Sequence, residues 1–181
     1  KFPGLPDTIT VSSANFPANN NCKVPVTLNV SQFIVDCAPV SELLVLNDAP
    51  YGNDSLIASG SYEVGSYMIH FTATDPCGNV GTDSVLVIVL DNSKPTAICN
   101  NNVVISLGTD GSATIQPGDI NLGSTDNCGI DTMFLNVSTF DCGDLGVQPV
   151  MLTVVDPYGN SNTCTVNVEV TVGNGAGFKL T

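Results

Sequence analysis

Two stretches of this chain repeat one another. Phe71–Asp91 reads FTATDPCGNVGTDSVLVIVLD, and Leu152–Val172 reads LTVVDPYGNSNTCTVNVEVTV. Each holds a strand, a tight turn and a second strand. Asp75, Pro76, Gly78 and Asn79 return as Asp156, Pro157, Gly159 and Asn160. A repeat at this spacing makes the chain a tandem of two similar modules, because each copy ends one supersecondary unit. The expected division is residues 1–92, residues 93–175 and an exit linker at 176–181. Each module is then large enough to bury a modest core of its own.

The rest of the chain reads as short strands. Val24–Val30 alternates Val24, Val26, Leu28 and Val30 with polar or small neighbours, the mark of a half-buried strand. Ser66–Thr74 puts Tyr67, Ile69, Phe71 and Ala73 on one side and His70 on the other. Thr163–Val172 puts Val166, Val168, Val170 and Val172 inward. Further strands are expected at Asp7–Ser13, Glu42–Leu46, Ser55–Ser59, Ile98–Leu107, Ser112–Gln116, Thr132–Val137 and Val150–Val155. No segment has a 3.6-residue period. About seven strands per module, with turn signals every 8–12 residues, predict an all-β fold of two tandem immunoglobulin-like antiparallel β-sandwiches. One strand is unusual. Val85, Val87 and Val89 match the inward valines of the second module, yet Leu86, Ile88 and Leu90 make the other face apolar too. Such a strand is expected to be covered on both sides, by the module junction or by a neighbouring chain.

Charge narrows the partners. The 181 residues include 17 acidic side chains, 4 lysines and no arginine, for a net charge of −13. Nine acids face three lysines up to Lys94, leaving −6; eight face one beyond it, leaving −7. That field repels nucleic acid and anionic membranes. No apolar run reaches the length of a membrane helix, so no direct membrane insertion is expected. Phe2–Pro6 does not read as a signal peptide, so the chain is expected to be a mature or internal piece of a longer product.

Seven cysteines point to an oxidising compartment. No CxxC pair is present and His70 is the only histidine, which argues against zinc. Cys99 and Cys164 share parity with inward residues at the two ends of the second module, so they are expected to bridge it. Cys128 and Cys142 then remain to pair. In the first module Cys37 has two candidate partners, Cys22 and Cys77, with Cys22 favoured. The start of the second strand (Cys22) and the turn before the penultimate strand (Cys142) lie at one end of such a sandwich, and the Cys37 and Cys128 positions are expected at that same end. Cys77 is then left unpaired or bridges another chain.

The run Pro95–Cys99 (PTAIC), Gly118–Ile130 (GDINLGSTDNCGI), Phe140–Cys142 (FDC) and the second DPxGN strand pair resemble the HYR (hyalin-repeat) type of immunoglobulin-like domain. The nearest versions are those strung together in large Bacteroidetes cell-surface adhesion and gliding proteins. The resemblance covers nearly all of the second module and the latter half of the first. Asp83 stands where Cys164 stands, so the first module departs from the pattern. The resemblance implies an exported, extracellular, cell-surface location and a spacer or adhesive role. It implies no catalysis.

Several residues carry candidate chemistry. Asp75 with Asn79, Asp156 with Asn160, and Asp91 in the linker offer oxygen ligands for Ca2+; the same turns also read as plain hairpin turns. Asp126, Asp131, Asp141 and Asp144 form a second acidic group around the Cys128–Cys142 loop. Asp-Ser/Thr-apolar triplets mark Thr8, Ser55, Ser84 and Thr132 as candidate O-glycosylation sites, with Thr8 and Ser55 the most loop-like. Asn29, Asn53 and Asn136 lie in N-x-Ser sequons. A nucleophile needs a nearby base, and no motif surrounds His70. The leading reading is a non-catalytic structural or adhesive repeat of a long secreted surface protein, partnered by neighbouring modules, surface glycans or lateral copies of itself. The alternatives are a carbohydrate-binding accessory module of a secreted enzyme and a calcium-dependent cell–cell adhesion domain.

Overall fold

The structure is a computed structural model that describes residues 4–12, 21–34, 39–51 and 56–173. The chain divides into two compact units, Lys1–Asn92 and Ser93–Thr181.

In unit 1, β1 (Thr8–Ser12), β3 (Leu44–Asn47), β5 (Gly65–Thr74) and β6 (Val80–Leu90) form one sheet in the order β1-β6-β5-β3. A smaller sheet pairs β2 (Lys23–Val26) with β4 (Gly60–Glu63). One core joins the two sheets. Val24, Val26 and Tyr62 come from the small sheet, and Ile69, Phe71, Val85, Val87 and Val89 from the large one. Burying these aliphatic side chains is the main driving force, at about 1.5–3 kcal/mol each. Tyr62 is fully buried, so its hydroxyl needs a partner; it donates to the Ala58 carbonyl at 2.6 Å. Tyr51 and Tyr67 meet its ring edge-on, with centroids 4.9 and 5.1 Å away.

Unit 2 repeats this plan. Its large sheet runs β7-β12-β11-β9, from β7 (Val103–Leu107), β12 (Ser161–Val172), β11 (Gly146–Val155) and β9 (Thr132–Leu135). Its small sheet pairs β8 (Ala113–Thr114) with β10 (Thr139–Phe140). Val150, Leu152, Val154, Val166, Val168 and Val170 alternate inward onto Ile115, Ile120 and Phe140.

The ladders are antiparallel with one exception in each unit. β1 runs parallel to β6, with Thr8 opposite Leu86 and Ser12 opposite Leu90. β7 runs parallel to β12, with Val103 opposite Val168 and Leu107 opposite Val172. The first strand of each unit therefore lies against its last.

Local details depart from the sequence reading for physical reasons. The strand expected at Ser55–Ser59 becomes a single bridge, Asn29 to Ile57, followed by β4. Ser59 Oγ accepts from Leu28 N–H at 2.8 Å and donates to the Leu28 carbonyl, replacing ladder bonds. No helix was expected, yet Pro117–Ile120 forms one turn, α1. Pro117 suits a first helical position, Gln116 N–H donates to Asp119 Oδ2 at 2.7 Å, and Ile120 anchors the turn in the core. Each unit shows six strands among the described residues rather than seven.

Candidate functional site

The two DPxGN turns are built alike. In the first, Asp75 Oδ1 accepts from Asn79 N–H at 2.7 Å, and Oδ2 accepts from the Asn79 amide at 2.6 Å. In the second, Asp156 Oδ1 accepts from Tyr158 and Asn160 N–H, both at 2.8 Å, and Oδ2 accepts from the Asn160 amide at 2.7 Å. Gly78 and Gly159 take φ values of 86° and 87°, which a side chain would strain. The Asn79 side-chain amide, and then its backbone N–H, hold the Asp75 carboxyl below the usual carboxylate range. Asp156 is 1% exposed.

The structure thus brings together Asp75 with Asn79 and Asp156 with Asn160. It spends both carboxylate oxygens of each aspartate on N–H donors. Calcium takes six to eight oxygens, and each turn groups one carboxylate with one amide side chain, so a turn by itself falls short of a full ligand set. Asp91, the remaining candidate ligand, is buried at the end of β6. In the second acidic group the carboxylates also serve the backbone. Asp126 accepts from Cys128 N–H, Asp141 from Gly143 N–H, and Asp144 from Asp141 N–H. Asp131 N–H donates to the Val155 carbonyl.

The cysteines sort by position along β11. Cys99 and Cys164 are disulfide-bonded, with Cα atoms 5.9 Å apart and a sequence separation of 65. Cys164 lies in β12, and Cys99 bridges to Asn121. The expected Cys128–Cys142 bridge does not form: Cys142 is a free, exposed thiol, while Cys128 is oxidised. The reason is geometry. Asp131 is tied to Val155 at one end of β11, which puts Cys128 there. Cys142 sits at the other end, just before Gly146, with its Sγ 3.8 Å from the Gly111 carbonyl. About 30 Å of strand separates the two ends, and a disulfide spans at most about 7 Å between Cα atoms. The placing of Cys128 at the Cys142 end is therefore corrected. Cys22 is oxidised, and Cys77 is free and exposed. Cys37 lies outside the described residues.

The candidate glycosylation residues are less loop-like than expected. Thr8 is in β1, opposite Leu86. Ser84 is in the middle of β6, opposite His70. Thr132 is exposed at the start of β9. Ser55 and Asn53 lie outside the described residues. Asn29 and Asn136 accept backbone N–H groups of Ser31 and Met151.

Nothing in the sequence points to the partner of His70. Asp48 Oδ2 lies 2.8 Å from His70 Nδ1, and Asp48 Oδ1 accepts from His70 N–H at 2.7 Å. That backbone N–H is the main reason the Asp48 carboxyl stays below its ordinary range. The pair arises because β3 lies beside β5; only this register joins residues 22 positions apart. Ser84 faces His70 across the β5–β6 ladder, so aspartate, histidine and serine meet. The depression around them, about 280 Å³, is open and lies on a flat strand surface.

No family model matched the chain, and no curated protein matched it. Solved structures similar to it include human mucin-like protocadherin EC1-2, at 16% identity, covering 92% of this chain and 96% of that one, TM-score 0.41. Another is the fibronectin(III)-like modules of Clostridium thermocellum CbhA, at 12% identity, covering 95% and 94%, TM-score 0.33. A third is the Bacteroides ovatus mixed-linkage glucan utilization locus protein SGBP-B, solved with a mixed-linkage heptasaccharide, at 12% identity and TM-score 0.33. The comparison covers 91% of this chain but spans 44% of that protein's length. At these scores the assignment of two β-sandwiches rests on the strand pairing of this chain itself. No helix among the described residues is long and apolar enough to cross a membrane.

Proposed function

We propose that this chain is a pair of non-catalytic repeat modules from a long secreted cell-surface protein of the HYR type, acting as a load-bearing spacer or adhesive stalk. One observation carries the reading. In each unit the strand by which the chain comes in lies parallel to the strand by which it leaves. In unit 1 tension along the chain pulls this pair in opposite directions along their common axis, whereas in unit 2 the Cys99–Cys164 bridge takes the load ahead of the ladder. The ladder bonds of unit 1 are loaded together instead of one at a time, which suits an element that must hold under tension.

The chemistry of the surface fits the same role. The aspartates of the DPxGN turns close hairpins, and His70 and Ser84 lie beside an open depression on a strand surface rather than in an enclosed pocket. The disulfides suit an oxidising exterior.

Single-molecule pulling tests the reading. Handles at Asp7 and Asn92, in a Cys22→Ser chain so that no disulfide carries load, should unfold unit 1 at a clearly higher force than handles at Thr74 and Val80, which unzip the β5–β6 hairpin. Equal forces in the two directions would remove the mechanical basis of the proposal.

A further inference from the structure

We propose that unit 2 carries a binding cleft for a neutral sugar ring, between the edge strand β7 and the wall formed by β8 and α1. The cleft holds about 380 Å³ and is lined by Asn100, Asn102, Val103, Thr114, Ile115 and Asp119. That volume falls in the range of small-ligand sites, about 300–1,000 Å³. The depression beside His70 is smaller, and residues of β5 and β6 alone line it. The sequence explains why the space exists. β7 is an edge strand of its sheet, and β8 has only two residues, so little of the small sheet covers β7. The chain then turns through α1, which closes the far side of the gap.

Both walls are fixed. Asn100 N–H donates to the Ile120 carbonyl at 2.7 Å, which ties the chain before β7 to the end of α1. Gln116 N–H donates to Asp119 Oδ2 at 2.7 Å, which sets the carboxylate in place and leaves Oδ1 for a ligand. Asn100 Oδ1 accepts from Asn102 N–H at 3.2 Å, so the Asn100 amide keeps its NH2 group as a donor. Asn102 and Thr114 are exposed and add a second amide and a hydroxyl. Val103 and Ile115 are 8% and 2% exposed and make an apolar floor. Polar groups held in this way lose little freedom when a ligand binds.

A pyranose ring matches this lining. Its hydroxyls both donate and accept, so neighbouring pairs suit a carboxylate beside an amide. Its C–H face suits the aliphatic floor. Other ligands suit the cleft less well. An anion would meet Asp119 and a stretch beyond Lys94 that carries −7. A calcium ion takes six to eight oxygens and would find one carboxylate. No aromatic ring lines the cleft, so stacking adds nothing and a single site binds weakly, with Kd about 1–10 mM. Repetition of modules along a stalk multiplies such weak sites. The proposal names a ligand for the adhesive role proposed above and rests on that reading for its purpose, while the cleft itself does not.

The experiment is an NMR titration of the isotope-labelled full chain with the methyl glycosides of glucose, galactose, mannose and N-acetylglucosamine, each to about 50 mM. At least one glycoside should give saturable shifts centred on the backbone amides of Asn100, Asn102, Thr114 and Asp119. Asp119→Asn keeps an oxygen for the Gln116 N–H and replaces the other by a donor. It should leave the rest of the spectrum unchanged and weaken binding about three- to tenfold. Asn102→Ala, at an exposed position, should do the same. No saturable shift with any of the four glycosides would overturn the proposal. So would shifts centred elsewhere, or variants that bind as the wild type does. None of these results would alter the forces measured in the pulling experiment, so the stalk reading stands or falls separately.

Discussion

Asp156 shows how a residue that reads as a ligand becomes a structural element. Three N–H donors converge on its carboxylate, two from backbone and one from Asn160, and it is almost fully buried. Asp156→Ala leaves these donors without their acceptor, at a cost of about 1–3 kcal/mol. Thermal melting should show the same loss of stability in calcium and in chelator. A loss confined to calcium would make the turn a metal site. The acid limb follows from the same bonding. Asp48, Asp75 and Asp110 all lie below their ordinary carboxylate range, chiefly through hydrogen bonds from the His70 backbone, the Asn79 amide and the Ser112 backbone. A depressed carboxylate contributes stability above its unfolded pKa and loses it as pH falls through the folded one. Urea unfolding should therefore show constant stability from neutrality to about pH 5 and a decline below about pH 4. These three groups are exposed, so the decline should be shallow.

At the scale of the element, β11 decides which cysteines can meet. Its two ends hold Cys128 and Cys142 apart, while Cys164 in β12 comes up against Cys99. Iodoacetamide without reductant, read by mass spectrometry, should label Cys77 and Cys142 and leave Cys99, Cys164, Cys22 and Cys128 unmodified. Labelled Cys128 beside protected Cys142 would reverse the assignment. The valine alternation of β6 and β12 was legible in the sequence because period-two burial is written in every other residue. The Cys99–Cys164 pair was legible too, since both follow that parity. Pairings that depend on register were not. Nothing local in Asn47–Asp48 points to His70, and nothing in Thr8–Ser12 says that it runs parallel to β6. The short β8 and β10 and the turn α1 escaped because two to four residues carry too little pattern.

For the whole molecule, the two units share a plan, but the end-to-end bridge of one is missing from the other. Asp83 occupies in β6 the place of Cys164 in β12, so unit 1 lacks the Cys99–Cys164 lock. Tension entering unit 2 passes from Cys99 directly to Cys164, and the chain between them carries none of it. The bridge keeps the chain it encloses in unit 2 from extending, which suits the proposed stalk.

Single-molecule extension tests this claim most directly. The comparison is between two chains that both carry Cys22→Ser and Cys128→Ser, one with Cys99–Cys164 intact and one with both of those cysteines replaced by serine. Removing the lock should add about 220 Å to the length released, the extended span of the sequence separation of 65 that it closes. Equal released lengths in the two chains would contradict the account.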